Sequence, residues 1–281
     1  TDSTGAEGGT TSSERGYLNS FDTDGFSSVI GSTGDNLYFN QASQTYVAWN
    51  WLASNTTASN TVGDIPSTVS VNTTSGFSVV SFTGTGVVAT IGHGLGDTPK
   101  FFIVKNRSAV GGWFTYTTVI DGSLDFLYLN TTDAKQDSGL SLPTSSVFSV
   151  NSSTAPNTNN IVAYCFAEVP GYSAFGSYTG NGSTDGPFIY TGFRPRFVIF
   201  KRTDSVSQWA IIDTERSPYN QTQRWLYANL SAAEDDASVI AIDFLSNGFK
   251  IRSTNVEVNA SGGTQIYMAF AENPFKNSNA R

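Results

Sequence analysis

The sequence predicts an all-β protein made of tandem small antiparallel β-sandwich repeats of about 96 residues. Three observations support this fold class: the composition, the absence of a long amphipathic helix pattern, and a fixed spacing between matching segments. Charged residues make up only 14% of the 281 residues, against roughly 25% in typical soluble domains. Thr, Tyr, Phe and Val favour strands, and Gly, Asn and Asp favour the turns between them.

The repeat is visible when the chain is compared with itself. The segment Phe82-Thr-Gly-Thr-Gly86 matches Tyr178-Thr-Gly-Asn-Gly182 at an offset of 96 residues. The same offset relates Gly96 to Gly192, Pro99 to Pro195, Phe101 to Phe197, Lys105 to Lys201, and Trp113 to Trp209. Coincidence does not keep Gly, Pro and Trp aligned in this way. One repeat is therefore predicted over residues 76–171 and a second over residues 172–281.

Residues 1–53 hold only the rear half of the same unit. Phe21-Asp-Thr-Asp-Gly-Phe26 has the spacing of Phe244-Leu-Ser-Asn-Gly-Phe249, and Tyr46-Val-Ala-Trp-Asn-Trp51 matches Ile161-Val-Ala-Tyr-Cys-Phe166. We expect rear strands here that pair with another chain or a neighbouring domain, because an unpaired sheet edge is an aggregation hazard. The missing front half indicates a fragment of a longer polypeptide or an incomplete first repeat.

Residues 54–75 are predicted to be a linker, because they are rich in Asn, Ser and Thr.

In each full repeat, one strand is apolar on both alternating faces: Phe101-Phe-Ile-Val-Lys105 in the first and Phe197-Val-Ile-Phe-Lys201 in the second. This pattern predicts a central strand that is covered on both sides. Jelly-roll and immunoglobulin-like topologies both remain open.

The charge and hydropathy exclude two classes of partner. The formal net charge is −8 and the isoelectric point about 4.5, so the chain lacks the basic surface that binds nucleic acid. No segment approaches the roughly 18 apolar residues of a membrane span, so no membrane insertion is expected. The single cysteine, Cys165, lies in an apolar run and is predicted to be a small buried hydrophobic residue.

No catalytic constellation is predicted. The only histidine, His93, lies in Gly92-His-Gly94, and we interpret it as a solvated turn residue. Four carboxylates lie near aromatic residues, namely Asp121, Asp125, Asp213 and Glu215, but no such pair is common to both repeats. The chain is therefore predicted not to be an enzyme, with no catalytic residues and no cofactor.

Two other motifs are better explained as turns than as ligand sites. Asp22-Thr-Asp24-Gly25 lacks the further oxygen ligands of a calcium loop, so no metal site is expected. The segments Gly84-Thr-Gly86 and Gly180-Asn-Gly182 are not followed by a helix, as a phosphate-binding loop requires. We predict tight turns in all three places.

The aromatic residues divide into two groups. Trp113 and Trp209 occupy one repeat position and are predicted to lie in the core of each unit. Tyr219, Arg224 and Trp225 fall in a stretch that is unlike its counterpart in the other repeat. Exposed aromatic side chains on such loops stack on sugar faces, so these three are the candidate glycan-binding residues, although packing under a loop is the role that the sequence favours.

Several strings resemble a repeat domain of tailed bacteriophages: Gly-His-Gly-Leu-Gly-Asp-Thr-Pro-Lys-Phe (92–101), Val162-Ala-Tyr-Cys-Phe-Ala-Glu168, Phe175-Gly-Ser-Tyr-Thr-Gly-Asn-Gly182, Asp243-Phe-Leu-Ser-Asn-Gly-Phe249 and Tyr267-Met-Ala-Phe-Ala-Glu272. That domain occurs in tail-fibre and other virion structural proteins. The resemblance covers the chain from about Gly16 to Arg281, but the short front end departs from the pattern. It brings no catalytic or binding residues with it.

The resemblance implies a virion fibre or appendage protein whose repeats act as rigid β-spacers and contact the host surface. It also implies a location on the particle surface, a homo-oligomer, with a trimer expected, and contacts with other virion proteins. The alternatives are a lectin-like module that binds glycans and a tailspike-like polysaccharide depolymerase. Glycan binding without turnover favours the lectin, and release of oligosaccharides favours the depolymerase.

Overall fold

The computed structural model describes residues 5–7, 16–23, 25–32, 40–235 and 239–274, and within them the predicted all-β class is confirmed. The strands are β1 (Tyr17–Asp22), β2 (Gly25–Val29), β3 (Ala58–Asn60), β4 (Ser67–Asn72), β5 (Phe77–Thr83), β6 (Ala89–Gly92), β7 (Pro99–Asn106), β8 (Trp113–Thr117), β9 (Asp125–Tyr128), β10 (Gln136–Asp137), β11 (Val147–Val150), β12 (Asn160–Ala167), β13 (Ser173–Thr179), β14 (Phe188–Tyr190), β15 (Pro195–Arg202), β16 (Trp209–Asp213), β17 (Trp225–Tyr227), β18 (Ile242–Leu245), β19 (Gly248–Ile251) and β20 (Thr264–Ala271).

One short helix, α1 (Val256–Asn259), lies before β20. The Asn255 side chain caps it by accepting a hydrogen bond from the Glu257 amide at 2.7 Å, which satisfies one of the amides that a helix start leaves unpaired. Among the described residues, no helix has the length and apolar character that are needed to cross a membrane.

Two main antiparallel sheets form the body of the molecule. The eight-stranded sheet has the order β10-β9-β8-β7-β12-β5-β4-β3, and the five-stranded sheet has the order β13-β20-β15-β16-β17. Five neighbouring strands of the first sheet, in the order β9-β8-β7-β12-β5, correspond in place to the five strands of the second sheet, read in the order β17-β16-β15-β20-β13. Pro99 and Pro195 begin β7 and β15, and Trp113 and Trp209 begin β8 and β16. The landmark residues of the 96-residue offset thus lie at matching places in the two sheets.

Smaller sheets cover the outer face of each main sheet. The pair β11-β6 covers the eight-stranded sheet, and the three-stranded sheet β14-β19-β18 covers the five-stranded one. Val80, Phe102 and Phe148 belong to the first of these apolar layers, which we call the first core. Phe200 and Phe249 belong to its counterpart, the second core. Each main sheet with its cover is a β-sandwich.

The inner faces of the two main sheets pack on each other and form a third apolar layer, which we call the shared core. Along β7, Phe102 and Val104 face the first core, while Phe101 packs in the shared core. Strand β15 alternates in the same way. The prediction that these two strands are covered on both sides is therefore confirmed, and a strand with two buried faces needs the continuous apolar pattern that both sequences have.

The segment 54–75, predicted to be a linker, is instead part of the eight-stranded sheet. It contains β3 and β4, and β4 pairs with β5 over its whole length. Val69 is buried in the first core and Val71 packs against it, while Thr68 and Ser70 alternate with these valines. Since Ser and Thr are common on the solvent face of a strand, a polar composition does not distinguish an edge strand from a linker.

The front end follows the predicted rear half in one part and departs from it in another. Strands β1 and β2 form a hairpin with Phe21 opposite Phe26, in the place predicted by the match to residues 244–249. Residues 46–51 were expected to form a strand and have no regular secondary structure. Within the described residues, no third strand joins the β1–β2 hairpin, and residues 1–4, 8–15, 24 and 33–39 of the predicted partial repeat lie outside them.

Candidate functional site

His93 is buried rather than solvated, so that prediction is wrong. Its Nε2 lies 3.1 Å from the Thr144 carbonyl oxygen, and its Nδ1 accepts a hydrogen bond from the Leu95 amide at 3.2 Å. This pattern assigns the ring proton to Nε2. Burial lowers the pKa of His93, since a charged imidazole is costly away from water. Backbone groups satisfy both nitrogens, so His93 has a structural role.

Cys165 is buried in the first core, as predicted. Burial raises the pKa of its thiol to about 12. Because the thiolate is the reactive form of cysteine, this environment keeps Cys165 unreactive at neutral pH.

The glycine-rich segments form tight packing contacts in both units. Gly86 and Gly182 have positive φ angles of 73° and 68°. A Cβ atom on Gly84 would lie 2.2 Å from the Pro156 carbonyl oxygen, and one on Gly180 would lie 2.3 Å from that of Ala260. In the first unit, Gly84 thus allows the loop after β5 to approach the chain just before β12. In the second unit, Gly180 allows the loop after β13 to approach the chain just before β20.

Asp121 and Asp125 belong to an ion-pair cluster centred on Lys135. The Lys135 Nζ contacts Asp121 and lies 3.0 Å from the buried Asp125 carboxylate. The contact with Lys135 holds the pKa of Asp121 well below its usual range, whereas burial raises that of Asp125. Lys135 thus joins the two carboxylates and ties the start of β9 to the loops on either side of it.

Asp213 and Glu215 line the cleft that is the best candidate for a functional site. The cleft has a volume of about 290 Å³. Residues 47–51 form one side of it, and the start of β15 and the end of β16 form the other. We call residues 44–54, which cross the rim of the shared core, the strap. The cleft walls include Trp49 and Trp51 from the strap, Arg196 and Asp213 from the five-stranded sheet, and Glu215 from the turn after β16.

Polar contacts fix one wall of the cleft. The buried Asp213 Oδ2 accepts hydrogen bonds from the Trp49 Nε1 at 3.2 Å and from the Arg216 Nε at 2.7 Å. The Arg216 guanidinium also lies 5.7 Å from the centre of the Trp49 ring, within the range of a cation–π interaction. At the mouth of the cleft, Arg196 and Glu215 form an exposed ion pair at 2.7 Å. Asp213 therefore anchors the strap, and its oxygens are occupied.

The three predicted glycan-binding residues do not form one site. Trp225 begins β17 and is only 2% exposed, because it packs in the second core. Arg224 is half-exposed and forms an ion pair with Glu234 at 3.4 Å. Tyr219 alone is an exposed aromatic residue, with 84% of its surface accessible. Trp225 is therefore not available for stacking on a sugar, and packing under the loop, the role that the sequence favoured, describes it.

No residue of the strap was predicted to belong to a functional site. A detectable signal was present, because Trp49 and Trp51 are two residues apart, a spacing that places side chains on one face of an extended chain. Among the described residues, no group of three or more His, Cys, Asp or Glu side chains is arranged to hold a metal ion.

Comparison with known proteins gives one match. A family model described as a domain of unknown function (DUF7483) matches residues 1–274. No curated protein and no solved structure matches the chain.

Proposed function

The chain belongs to the family of the domain of unknown function DUF7483, and we propose that it is a non-enzymatic structural module, a rigid β-spacer in a fibre or appendage of a bacteriophage particle. The shared core is the observation that carries this proposal. It joins two β-sandwiches through a continuous layer of large side chains that includes Phe101, Phe166, Trp209 and Phe270. Bending at this junction would expose apolar surface to water, which is unfavourable.

The contacts of the titratable groups support the non-enzymatic part of the proposal. His93 and Cys165 are buried and hold structural positions. Asp125 and Asp213 are buried in ion pairs with Lys135 and Arg216. A general acid or base needs access to a substrate proton, and burial withholds these four groups from the surface.

The proposed partners are further copies of the chain, as a homotrimer, and other virion proteins, on the outer surface of the particle. Labelling of purified particles of the encoding phage with an antibody against the chain, followed by electron microscopy, tests this location. We expect label along an appendage. Particles that carry no label would contradict the spacer function.

Host attachment through surface glycans is a second function that we propose, and the exposure of Tyr219 favours it. An aromatic ring that is open to solvent on a loop offers a stacking face for a sugar, worth about 1 kcal/mol. On a glycan array, the Tyr219→Ala variant should lose the signal of the wild-type protein. Tyr190→Ala, which removes another exposed ring, is the matched control and should retain it.

Two results on the array would count against glycan binding through Tyr219: no signal from the wild-type protein, or an unchanged signal from Tyr219→Ala. Release of oligosaccharides from host polysaccharide would instead favour the depolymerase.

A further inference from the structure

The strap contributes to the shared core in the manner of a strand, although it pairs with no strand among the described residues. From Val47 to Ala53, half-buried residues alternate with exposed ones, which is the two-residue period of a β-strand. Trp49 and Trp51 are the half-buried aromatic members, and both rings lie 5.5 Å from the Phe197 ring.

Trp51 also completes a triad of aromatic rings. The sequence match places Trp51, Phe166 and Phe270 at one position of the repeat. Their ring centres are separated by 6.2, 5.3 and 6.1 Å, with interplanar angles of 81°, 66° and 65°. Each ring therefore meets the other two edge to face, in a nearly threefold arrangement. In this triad the strap takes the place that β12 and β20 take in their own sheets.

The three segments differ in their backbone pairing. Strand β12 lies between β7 and β5, and β20 lies between β15 and β13, so both have neighbours on each side. In contrast, the backbone amides and carbonyls of residues 47–51 make no hydrogen bond within the described part of the chain. Such a segment offers an edge to which a further strand can pair.

We propose that the strap is a docking edge for an antiparallel β-strand of a partner polypeptide that carries the front half of the same repeat. The two main sheets provide the template. In β7, Ile103 and Phe101 lie opposite Tyr164 and Phe166 of β12. In β15, Ile199 and Phe197 lie opposite Met268 and Phe270 of β20.

By the same register, the partner places an aromatic residue opposite Trp51 and a large aliphatic residue opposite Trp49. The cleft beside the strap is the point of entry, because residues 47–51 form one of its walls. The aromatic residue of the partner would extend the shared core without a break. This surface is independent of the spacer function, since it depends only on the strap and its neighbours.

A peptide with the sequence of residues 97–107, which contains β7, is the probe for this surface. Titrated into the full chain and followed by calorimetry, it should bind saturably with one peptide per chain. The same peptide with Ile103→Pro should bind roughly tenfold more weakly or worse, because proline is disfavoured in the middle of a paired strand. An equal affinity of the two peptides, or no saturable binding, would overturn the proposal.

Variants of the exposed Asn50 test the strap itself without altering the aromatic contacts. Asn50→Pro puts a residue whose fixed φ does not suit a paired strand at the middle of the proposed edge, and Asn50→Ala is the matched control. Circular dichroism checks that both variants are folded. We then expect Asn50→Pro to lose peptide binding and Asn50→Ala to retain it. Equal binding of the peptide by both variants would show that the strap is not a strand-docking edge. So would binding of a glycan in the cleft by a chain that does not bind the peptide.

Discussion

The two main sheets share one strand order but use their matching residues differently. Trp113 in the eight-stranded sheet is half-buried and stacks on Tyr164 of the same sheet, with ring centres 6.4 Å apart. Trp209 in the five-stranded sheet is buried, and its Nε1 donates a hydrogen bond to the Tyr128 carbonyl oxygen of the other sheet at 2.9 Å. The same residue type at the same position thus packs within its unit in one case and joins the two units in the other.

The matching lysines show the same division. The Lys105 Nζ donates to the Gly111 carbonyl oxygen, in the loop that follows its own strand, at 2.7 Å. The Lys201 Nζ donates to the Arg202 carbonyl oxygen at 2.8 Å and to the Thr132 carbonyl oxygen of the other unit at 3.2 Å. The junction thus uses matching positions of the two sheets asymmetrically, so two residues at a matching position need not contribute equally to the free energy of unfolding.

Replacement of the two tryptophans is expected to give the largest difference between the sheets. Trp209→Ala should lower the free energy of unfolding by about 3–5 kcal/mol, the usual cost of removing a buried large aromatic side chain. Trp113→Ala, the matched control, should lower it clearly less, because its ring is half-buried. Urea denaturation measures both values, and equal losses would contradict the asymmetry of the junction.

The two lysines should differ in their effect on the pH dependence of stability. Burial lowers the pKa of Lys201 to about 8, whereas an unfolded lysine titrates near 10.4. Between these values the unfolded state binds more protons, so this residue makes the free energy of unfolding rise with pH from about 8 to about 10.4 and contributes no further change below or above that window.

In Lys201→Met this part of the rise should be absent, and in Lys105→Met it should remain because Lys201 is intact. Urea denaturation of the three proteins at pH values inside and below the window gives the comparison. An identical pH dependence for the wild-type protein and Lys201→Met would contradict the assignment.

Local patterns in the sequence located the strands that occupy matching places, but the junction depends on long-range contacts. The double-sided apolar run at Phe101 and Phe197 revealed two central strands, because a two-residue period is visible without knowledge of the partner. The burial of His93 was missed, since it results from a distant segment, around Thr144, that covers it. The offset itself also varies: Ile91 pairs with Phe148 and Ile189 with Phe249, so the two isoleucines are 98 residues apart and the two phenylalanines 101.

Local sequence patterns could not predict the strap and the aromatic triad either, because both depend on contacts between the two main sheets. Trp51 could be matched to Phe166 in sequence, but its contacts with Phe197 and Phe270 require the two main sheets to face each other. Nothing in the spacing of one repeat specifies which face it presents to the next. The strands β3 and β4 were missed because their polar residues face solvent, as those of a linker do.

The central claim, that the shared core makes the two β-sandwiches one rigid unit, is tested most directly by differential scanning calorimetry of the full chain. We predict a single transition whose calorimetric enthalpy equals its van't Hoff enthalpy, because neither sandwich loses its structure without exposing the shared core to water. Two resolved transitions, one for each main sheet, would contradict the claim.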